Sequence, residues 1–245
     1  MRTLGEVLRL SAGYLQEHGS PTARLDAELL MAHALGLRRI ELYTSFERPL
    51  TEAELATCRG LLERRGRREP VAYVLGRWGF HGLDLMVDER VLVPRPETEA
   101  LVDRCLELLA GSEAPRVLDV GTGSGAIALA LKAARTDAVV TACDVSPDAL
   151  AVAGANADAL QLDVELVQSD LLDRLAARRF DLIASNPPYV ADGEIEALEP
   201  EVAEFEPRLA LVAGADGLDV LRRLVATAPA ALEPHGWLVC ECGAG

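Results

Sequence analysis

The stretch Val117-Leu118-Asp119-Val120-Gly121-Thr122-Gly123-Ser124-Gly125-Ala126 constrains the fold of this chain more than any other. A short apolar run enters three alternating glycines and leaves as a helix. That order sets a tight turn at the end of a β-strand and turns the free N–H groups of a helix start toward it. The alternation continues on both sides. A helix at Glu97–Leu109 precedes the strand Arg116–Val120, and the helix Ala126–Ala134 follows the glycines. Then come a strand at Ala138–Cys143, a helix at Pro147–Leu160, strands at Val164–Gln168 and Phe180–Ser185, a helix at Gly217–Ala228 and a strand at Gly236–Cys242. Strands alternating with helices predict an α/β fold with an open, mostly parallel sheet and right-handed crossovers.

Residues 1–69 show a different period and read as a small all-helical N-terminal domain. Leu4, Val7, Leu8 and Leu15 share one helical face. Ser20-Pro21 has the form of an N-cap followed by proline at the first helical position, with Leu25, Leu29 and Ala32 continuing at helical spacing. Thr51 and Glu54 make a capping box ahead of Leu55, Leu61 and Leu62. The run Arg64-Arg65-Gly66-Arg67-Arg68-Glu69-Pro70 ends that helix and marks a boundary. Its arginines fit either a solvated helix end or a contact surface for an acidic or RNA-associated partner. Residues 70–94 carry Gly76, Gly79 and Gly82 among β-formers, then Leu85-Met86-Val87 and Val91-Leu92-Val93, and read as a β-hairpin linker. Residues 95–245 make the α/β domain.

Several function classes are disfavoured at once. No apolar window reaches the roughly 18 residues of a membrane span, and the charged N-terminus is no signal peptide. The five cysteines lack any CxxC pair, which argues against a disulfide framework or a zinc site, and Cys240 and Cys242 read as core strand thiols. The four histidines, His18, His33, His81 and His235, are dispersed and suggest no metal. A soluble, cytoplasmic protein is expected. The net charge is −15, unevenly spread: residues 1–75 hold 11 Arg against 10 acids, and residues 76–245 hold 13 basic against 29 acidic residues. Such a balance opposes nucleic-acid binding, which needs cations for phosphate contacts.

Two segments carry chemistry. In the first, the glycine loop is followed 19 residues after Gly125 by Asp144, at the end of the next strand, where an acid can accept hydrogen bonds from ribose hydroxyls. Gly121-x-Gly123-x-x-Ala126 fits a dinucleotide fingerprint, so the loop alone leaves the cofactor open. Asp119, placed to face a cationic group, and the extra Gly125 favour S-adenosylmethionine. The second segment is Asn186-Pro187-Pro188-Tyr189, closing the strand that ends at Ser185. A proline turn is the plain alternative. The chemical alternative suits a planar NH₂, whose delocalised lone pair makes it a poor nucleophile. The Asn186 side-chain oxygen and the Pro187 carbonyl can each accept one N–H, Pro188 stiffens the loop, and Tyr189 can pack on the flat group. No metal or covalent nucleophile is implied.

The chain resembles the HemK/PrmC family of peptide chain release factor glutamine methyltransferases. The likeness rests on Val91-Leu92-Val93-Pro94-Arg95-Pro96-Glu97-Thr98-Glu99, Asp119 to Gly125, Asp144, Ser185 to Tyr189, and Glu206-Pro207 with Gly214-Ala215-Asp216-Gly217-Leu218. The Asn-Pro-Pro-Tyr loop is shared with adenine-N6 DNA methyltransferases, whereas Pro-Arg-Pro-Glu-Thr-Glu is not. The resemblance implies a Rossmann-like methyltransferase sheet, S-adenosylmethionine as cofactor, and class-1 release factors as partners. The methylated group would be the glutamine of their Gly-Gly-Gln loop, and residues 1–69 would help to dock the factor. It assigns Asp119, Gly121, Thr122, Gly123, Ser124, Gly125, Asp144, Leu171 and Asn186 to the cofactor, with Leu171 covering the adenine. Asn186 to Tyr189 hold the glutamine, Asn186 and Pro187 as the catalytic pair. Arg95, Glu97 and Glu99 are either a salt-linked helix start or the entrance of the substrate pocket. A monomer without nucleic acid or membrane is expected. The family continues past residue 245 with a helix and two strands, so a version extended by them is expected to be more stable. The alternatives are an adenine-N6 nucleic-acid methyltransferase and a non-catalytic cofactor-binding scaffold for translation factors.

Overall fold

Capping boxes mark where two of the first helices begin. In the computed structural model, which describes residues 2–243, α1 (Leu4–Glu17) starts at Thr3 with a reciprocal capping box to Glu6, and α4 (Glu52–Gly66) starts at Thr51 with the expected box to Glu54. Between them lie α2 (Ala23–Leu35) and α3 (Arg39–Thr44); α5 (Val71–Leu75) follows. These helices, with a short helix at Pro200–Phe205, form one compact unit that runs to Gly76. Leu4, Val7, Leu8 and Leu15 are all buried in its core with Leu30, Met31 and Leu42.

Three expectations for this unit need correction. Ser20 is not an N-cap: α2 begins two residues later, and the Ser20 hydroxyl donates to Asp26 Oδ2 at 2.7 Å. The buried face of α2 is Ala27, Leu30 and Met31 together with Asp26 and Glu28, while Leu25 is exposed. Its two acids find cationic partners: the buried Arg65 Nε bonds Asp26 at 2.7 Å, and the exposed Arg24 Nε reaches Glu28 at 2.6 Å. Nor is the arginine run a solvated helix end or a free contact surface. Arg65 is buried between Asp26 and Glu201, Arg68 also bonds Glu201, and Arg64 pairs with Glu69 and reaches the carbonyls of Tyr73 and Val74. Only Arg67 of the four is exposed.

The second unit comprises Arg77–Glu199 and the chain from Glu206 onward. Its hairpin is shorter than the sequence suggests. β1 (Arg77–Phe80) and β2 (Leu83–Met86) pair antiparallel across His81 and Gly82, both at positive φ as a tight two-residue turn requires. Residues 71–75 are helical, ended by Gly76 in the left-handed conformation, and Val91-Leu92-Val93 forms no strand. Pro94 and Pro96 lack ladder donors just beyond it.

From α6 (Pro96–Leu108) the alternation appears as expected: β3 (Arg116–Val120), α7 (Ala126–Ala134), β4 (Val139–Asp144), α8 (Pro147–Leu160), β5 (Glu165–Gln168), β6 (Phe180–Ser185), then, after the Pro200–Phe205 helix (α9), α10 (Asp219–Ala231) and β7 (Leu232–Cys240). All four pairings in the sheet are parallel, in the order β5-β4-β3-β6-β7. Side chains alternate between its faces. Val117 and Leu182 join the core with α6 and α7, and Leu118, Val120 and Ile183 join the core with Leu224 and Ala228 of α10. The last strand starts earlier than Gly236, because a register irregularity opposite Phe180 and Leu182 accommodates Pro234-His235-Gly236. It also ends earlier, so Cys242 is exposed rather than a core thiol.

Candidate active site

The sheet order reverses at β3: the chain runs outward through β4 and β5, then returns to β6 on the other side of β3. Ligands of such sheets bind beyond the carboxyl ends of the strands at that reversal. Val120 is paired with Cys143 on one side and Ser185 on the other. Gly121, Asp144 and Asn186 therefore leave the sheet side by side. A cavity of about 310 Å³ opens over them, lined by Gly121, Gly123, Asp144, Leu171, Asn186, Pro187 and Pro188 among others.

The glycine loop is pinned from below. Gly121 and Thr122 N–H both donate to the Cys143 carbonyl, and Gly123 N–H donates to Asp144 Oδ2 at 2.9 Å. A Cβ on Gly121 or Gly123 would meet no protein atom within 4 Å, so both open onto free space. Gly125 serves packing instead: at φ 86° its Cβ would lie 2.9 Å from Leu129 and 3.3 Å from Ala153. The Thr122 hydroxyl turns inward to Asp119 Oδ2 (2.7 Å), which also accepts from Ala128 N–H at 3.2 Å. The Ser124 carbonyl accepts from Asn156 Nδ2 at 2.9 Å. Asp119, Thr122, Ser124 and Gly125 thus build the loop from behind and do not line the cavity.

Asp119 is fully buried, and its Oδ1 is the one buried side-chain oxygen without a hydrogen-bond partner among the described residues. Burial pushes its pKa up to about 7 against the two bonds it accepts. A cationic ligand beyond the cradle would favour the charged form of such a buried acid, whereas a pyrophosphate would oppose it. The two cofactor alternatives separate on this point, in favour of S-adenosylmethionine. Asp144 accepts from Gly123 and Ser146 N–H, each at 2.9 Å, and burial raises its pKa as well. Leu171 lines the cavity in a left-handed conformation, φ 48°, which a non-glycine residue adopts at a cost of about 1–3 kcal/mol where its surroundings impose it.

At Asn186 the side-chain Nδ2 donates to Thr98 Oγ1 at 3.1 Å, and no hydrogen bond to Oδ1 is made among the described residues. No N–H of the described residues donates to the Pro187 carbonyl either. Tyr189 is partly exposed, and burial followed by the charge of Glu241 raises its pKa. The loop is held by the segment after Glu206. Val190 N–H donates to the Leu211 carbonyl and Ala213 N–H to the Val190 carbonyl, at 2.8 and 2.9 Å. Gly217 backs directly onto it: a Cβ there would stand 2.3 Å from the Tyr189 carbonyl oxygen. Arg95 reaches across to the buried Glu206 at 2.6 Å, and Glu99 accepts from His81 N–H at 2.8 Å. The motif is therefore tied to other segments and is not a salt-linked helix start.

Sequence reasoning missed Asn156, Thr98 and Glu241. Asn156 clamps the Ser124 carbonyl and both backbone groups of Met86. The period held a signal for two of them. Asn156 falls on the buried face of α8 with Ala149, Val152 and Ala153, and Thr98 falls on that of α6 with Leu101, Val102 and Cys105. A polar residue on an apolar stripe is placed for a partner.

A glycine turn at the carboxyl end of β3, flanked by Asp144 and by a rigid amide-bearing loop around one cavity, fits an S-adenosylmethionine-dependent methyltransferase. Comparison with known proteins narrows this. Residues 6–76 match the PrmC N-terminal domain model and residues 98–203 the methyltransferase small domain model. The release factor glutamine methyltransferase of Geobacter sulfurreducens is 47% identical over 243 residues, 99% of this chain and 85% of that protein. That of Rhodopirellula baltica is 44% identical over 98% of this chain and 83% of its own length. The chain belongs to the release factor glutamine methyltransferase family. Among solved structures, the hMettl16 catalytic domain in complex with an RNA hairpin shares the fold, with a TM-score of 0.53 at 21% identity over 74% of this chain and 66% of that one. So does a T. thermophilus 16S rRNA methyltransferase in complex with AdoMet and guanosine, at 0.50 and 24%, over 67% of this chain and 40% of that one. No helix of the described residues is long and apolar enough to cross a membrane.

Proposed function

We propose that the protein methylates the side-chain amide nitrogen of the glutamine in the Gly-Gly-Gln motif of class-1 peptide chain release factors. The observation that carries this is the free Asn186 Oδ1 beside the glycine cradle, next to the unbonded Pro187 carbonyl. Each accepts one N–H of the substrate NH₂. With both hydrogens held, the amide cannot rotate, and the nitrogen lone pair keeps one direction. Pro187 and Pro188 preorganise the acceptors, and Tyr189 covers the planar group. S-adenosylmethionine supplies an electrophilic methyl group on a sulfonium. Gly121 and Gly123 would admit it, Asp144 would accept from its ribose, Leu171 would cover the adenine, and Asp119 would lend negative charge from behind the loop.

Adenine offers a similar NH₂, yet the second unit carries most of the acidic excess, and a duplex base must first be unstacked. A glutamine on a glycine loop needs only a slot and a docking surface, which residues 1–69 supply. On this reading the protein acts in the cytoplasm, as a monomer, on protein and not nucleic acid. The test is radiolabelled methyl transfer to a release factor, its Gln→Ala variant, a short Gly-Gly-Gln peptide and DNA. Transfer to the intact factor with a lower KM than to the peptide, and none to the Gln→Ala variant or DNA, is expected. Comparable incorporation into adenine overturns the proposal.

For the cofactor, Asp144→Ala is expected to weaken S-adenosylmethionine binding by about 1–3 kcal/mol, the loss of a charge-assisted hydrogen bond in a partly dry site. Titration calorimetry reads this directly, and unchanged affinity removes Asp144 from the site.

A further inference from the structure

A side-chain amide has two ends of nearly equal size and opposite polarity. Left to itself, Asn186 can turn either its oxygen or its NH₂ toward the cavity. Only the oxygen can receive a substrate NH₂, because two NH₂ groups facing each other leave donors unpaired. Something must therefore choose the end, and three distant segments meet to do so. Thr98, in the first turn of α6, is buried, with its Oγ1 2.7 Å from Glu241 Oε2 and 3.1 Å from Asn186 Nδ2. Glu241 follows β7, and its N–H donates to the Ser185 carbonyl at 3.0 Å, so its backbone is fixed beside the residue that precedes Asn186.

We infer that Thr98 and Glu241 are positioning residues that set the orientation of the Asn186 amide. This rests on the substrate reading above. A carboxylate only accepts hydrogen bonds, so the single hydroxyl hydrogen of Thr98 points to Glu241. What Thr98 then shows to Asn186 is a lone pair, which only the NH₂ end can satisfy. The polarity set by the carboxylate passes through the hydroxyl and leaves Oδ1 to face the substrate. Charge-assisted bonding and the burial of Thr98 at its middle make the chain directional. A hydroxyl at position 98 and, at position 241, a carboxylate that can only accept are the required features. The methyl of Thr98 is not.

The experiment compares full-length wild type with Thr98→Val, Thr98→Ser and Glu241→Gln, using the release factor as substrate. Thr98→Val keeps the shape and removes the hydroxyl. Its kcat is expected to fall roughly 10- to 100-fold, the usual consequence of a misdirected site group, with KM for the factor, cofactor Kd by calorimetry and Tm near wild type. Thr98→Ser keeps wild-type kcat. Glu241→Gln loses kcat like Thr98→Val, since a carboxamide can present its own NH₂ to Thr98 and reverse the chain. In ¹⁵N spectra the Asn186 NH₂ signals, identified by their loss in Asn186→Asp, shift in Thr98→Val and stay in Thr98→Ser. Wild-type kcat in Thr98→Val overturns the inference, as does an equal loss in Val and Ser. Should Thr98→Val fail to fold, full activity of Glu241→Gln overturns it alone. A wild-type enzyme inactive on the release factor defeats the substrate reading instead, and the ¹⁵N shifts still decide whether Thr98 holds the amide.

Discussion

Asn186→Ala is expected to reduce methyl transfer to a release factor by roughly 10²- to 10³-fold or more, the range found when one preorganised site group is removed. Cofactor affinity should change little. The Asn186 side chain borders the cavity, but its one hydrogen bond is to Thr98, and the glycine loop is held by Cys143, Asp144 and Asn156 without it. The variant takes away an acceptor used by the substrate and leaves the Pro187 carbonyl as the sole remaining one. One N–H of the substrate amide then stays unpaired in a partly dry site, and the group is free to turn. Single-turnover transfer of a radiolabelled methyl group, beside calorimetric titration of the cofactor, separates the two steps. Full activity in Asn186→Ala would remove the residue from the chemistry.

The second large effect lies in the helical unit. Arg65→Met is expected to destabilise it by about 3–5 kcal/mol, the cost of stranding the partners of a buried cation. Arg65 and Asp26 are almost wholly buried, 4% and 2% exposed in their side chains, and Glu201 is mostly so. The guanidinium also reaches the Ser20 hydroxyl at 3.2 Å. Methionine fills the volume and supplies no charge, so the Asp26 carboxylate is left buried with only the Ser20 and Thr22 hydroxyls, while Glu201 keeps Arg68. Adding Asp26→Leu removes that charge and should recover most of the loss, because apolar replacement of both members of a buried ion pair is often neutral or favourable. Thermal melts followed by circular dichroism test both halves. A single variant as stable as wild type would make the cluster a surface ornament, in conflict with its burial.

The same cluster marks where sequence reasoning stopped. Four arginines at the end of a helix carry no local sign of partners 39 and 136 residues away. The face of α2 was misjudged for the same cause. Leu25 continues the leucine spacing but is exposed, whereas Asp26 is buried against Arg65, 39 residues away. By contrast, Arg116–Val120, Ala126–Ala134, Pro147–Leu160 and Phe180–Ser185 fell where the residues place them. An apolar run of strand length, a glycine turn and a Ser146–Pro147 helix start are each settled within a few neighbours.

By itself, then, the sequence determined the order of strands and helices, the glycine cradle, and the loop that offers an amide oxygen and a carbonyl. These depend on local propensity and on the side-chain period, which a chain carries wherever it lies. The tertiary structure alone decided that Asp119 sits behind the cradle with an unpaired oxygen, and that Asn186 is turned by Thr98 and Glu241, 88 and 55 residues away. It decided, too, that Gly217 must lack a side chain so that the loop can rest on it. Hydrogen bonds between distant polar groups form only where the packed core brings them within about 3 Å, and no local pattern encodes that meeting.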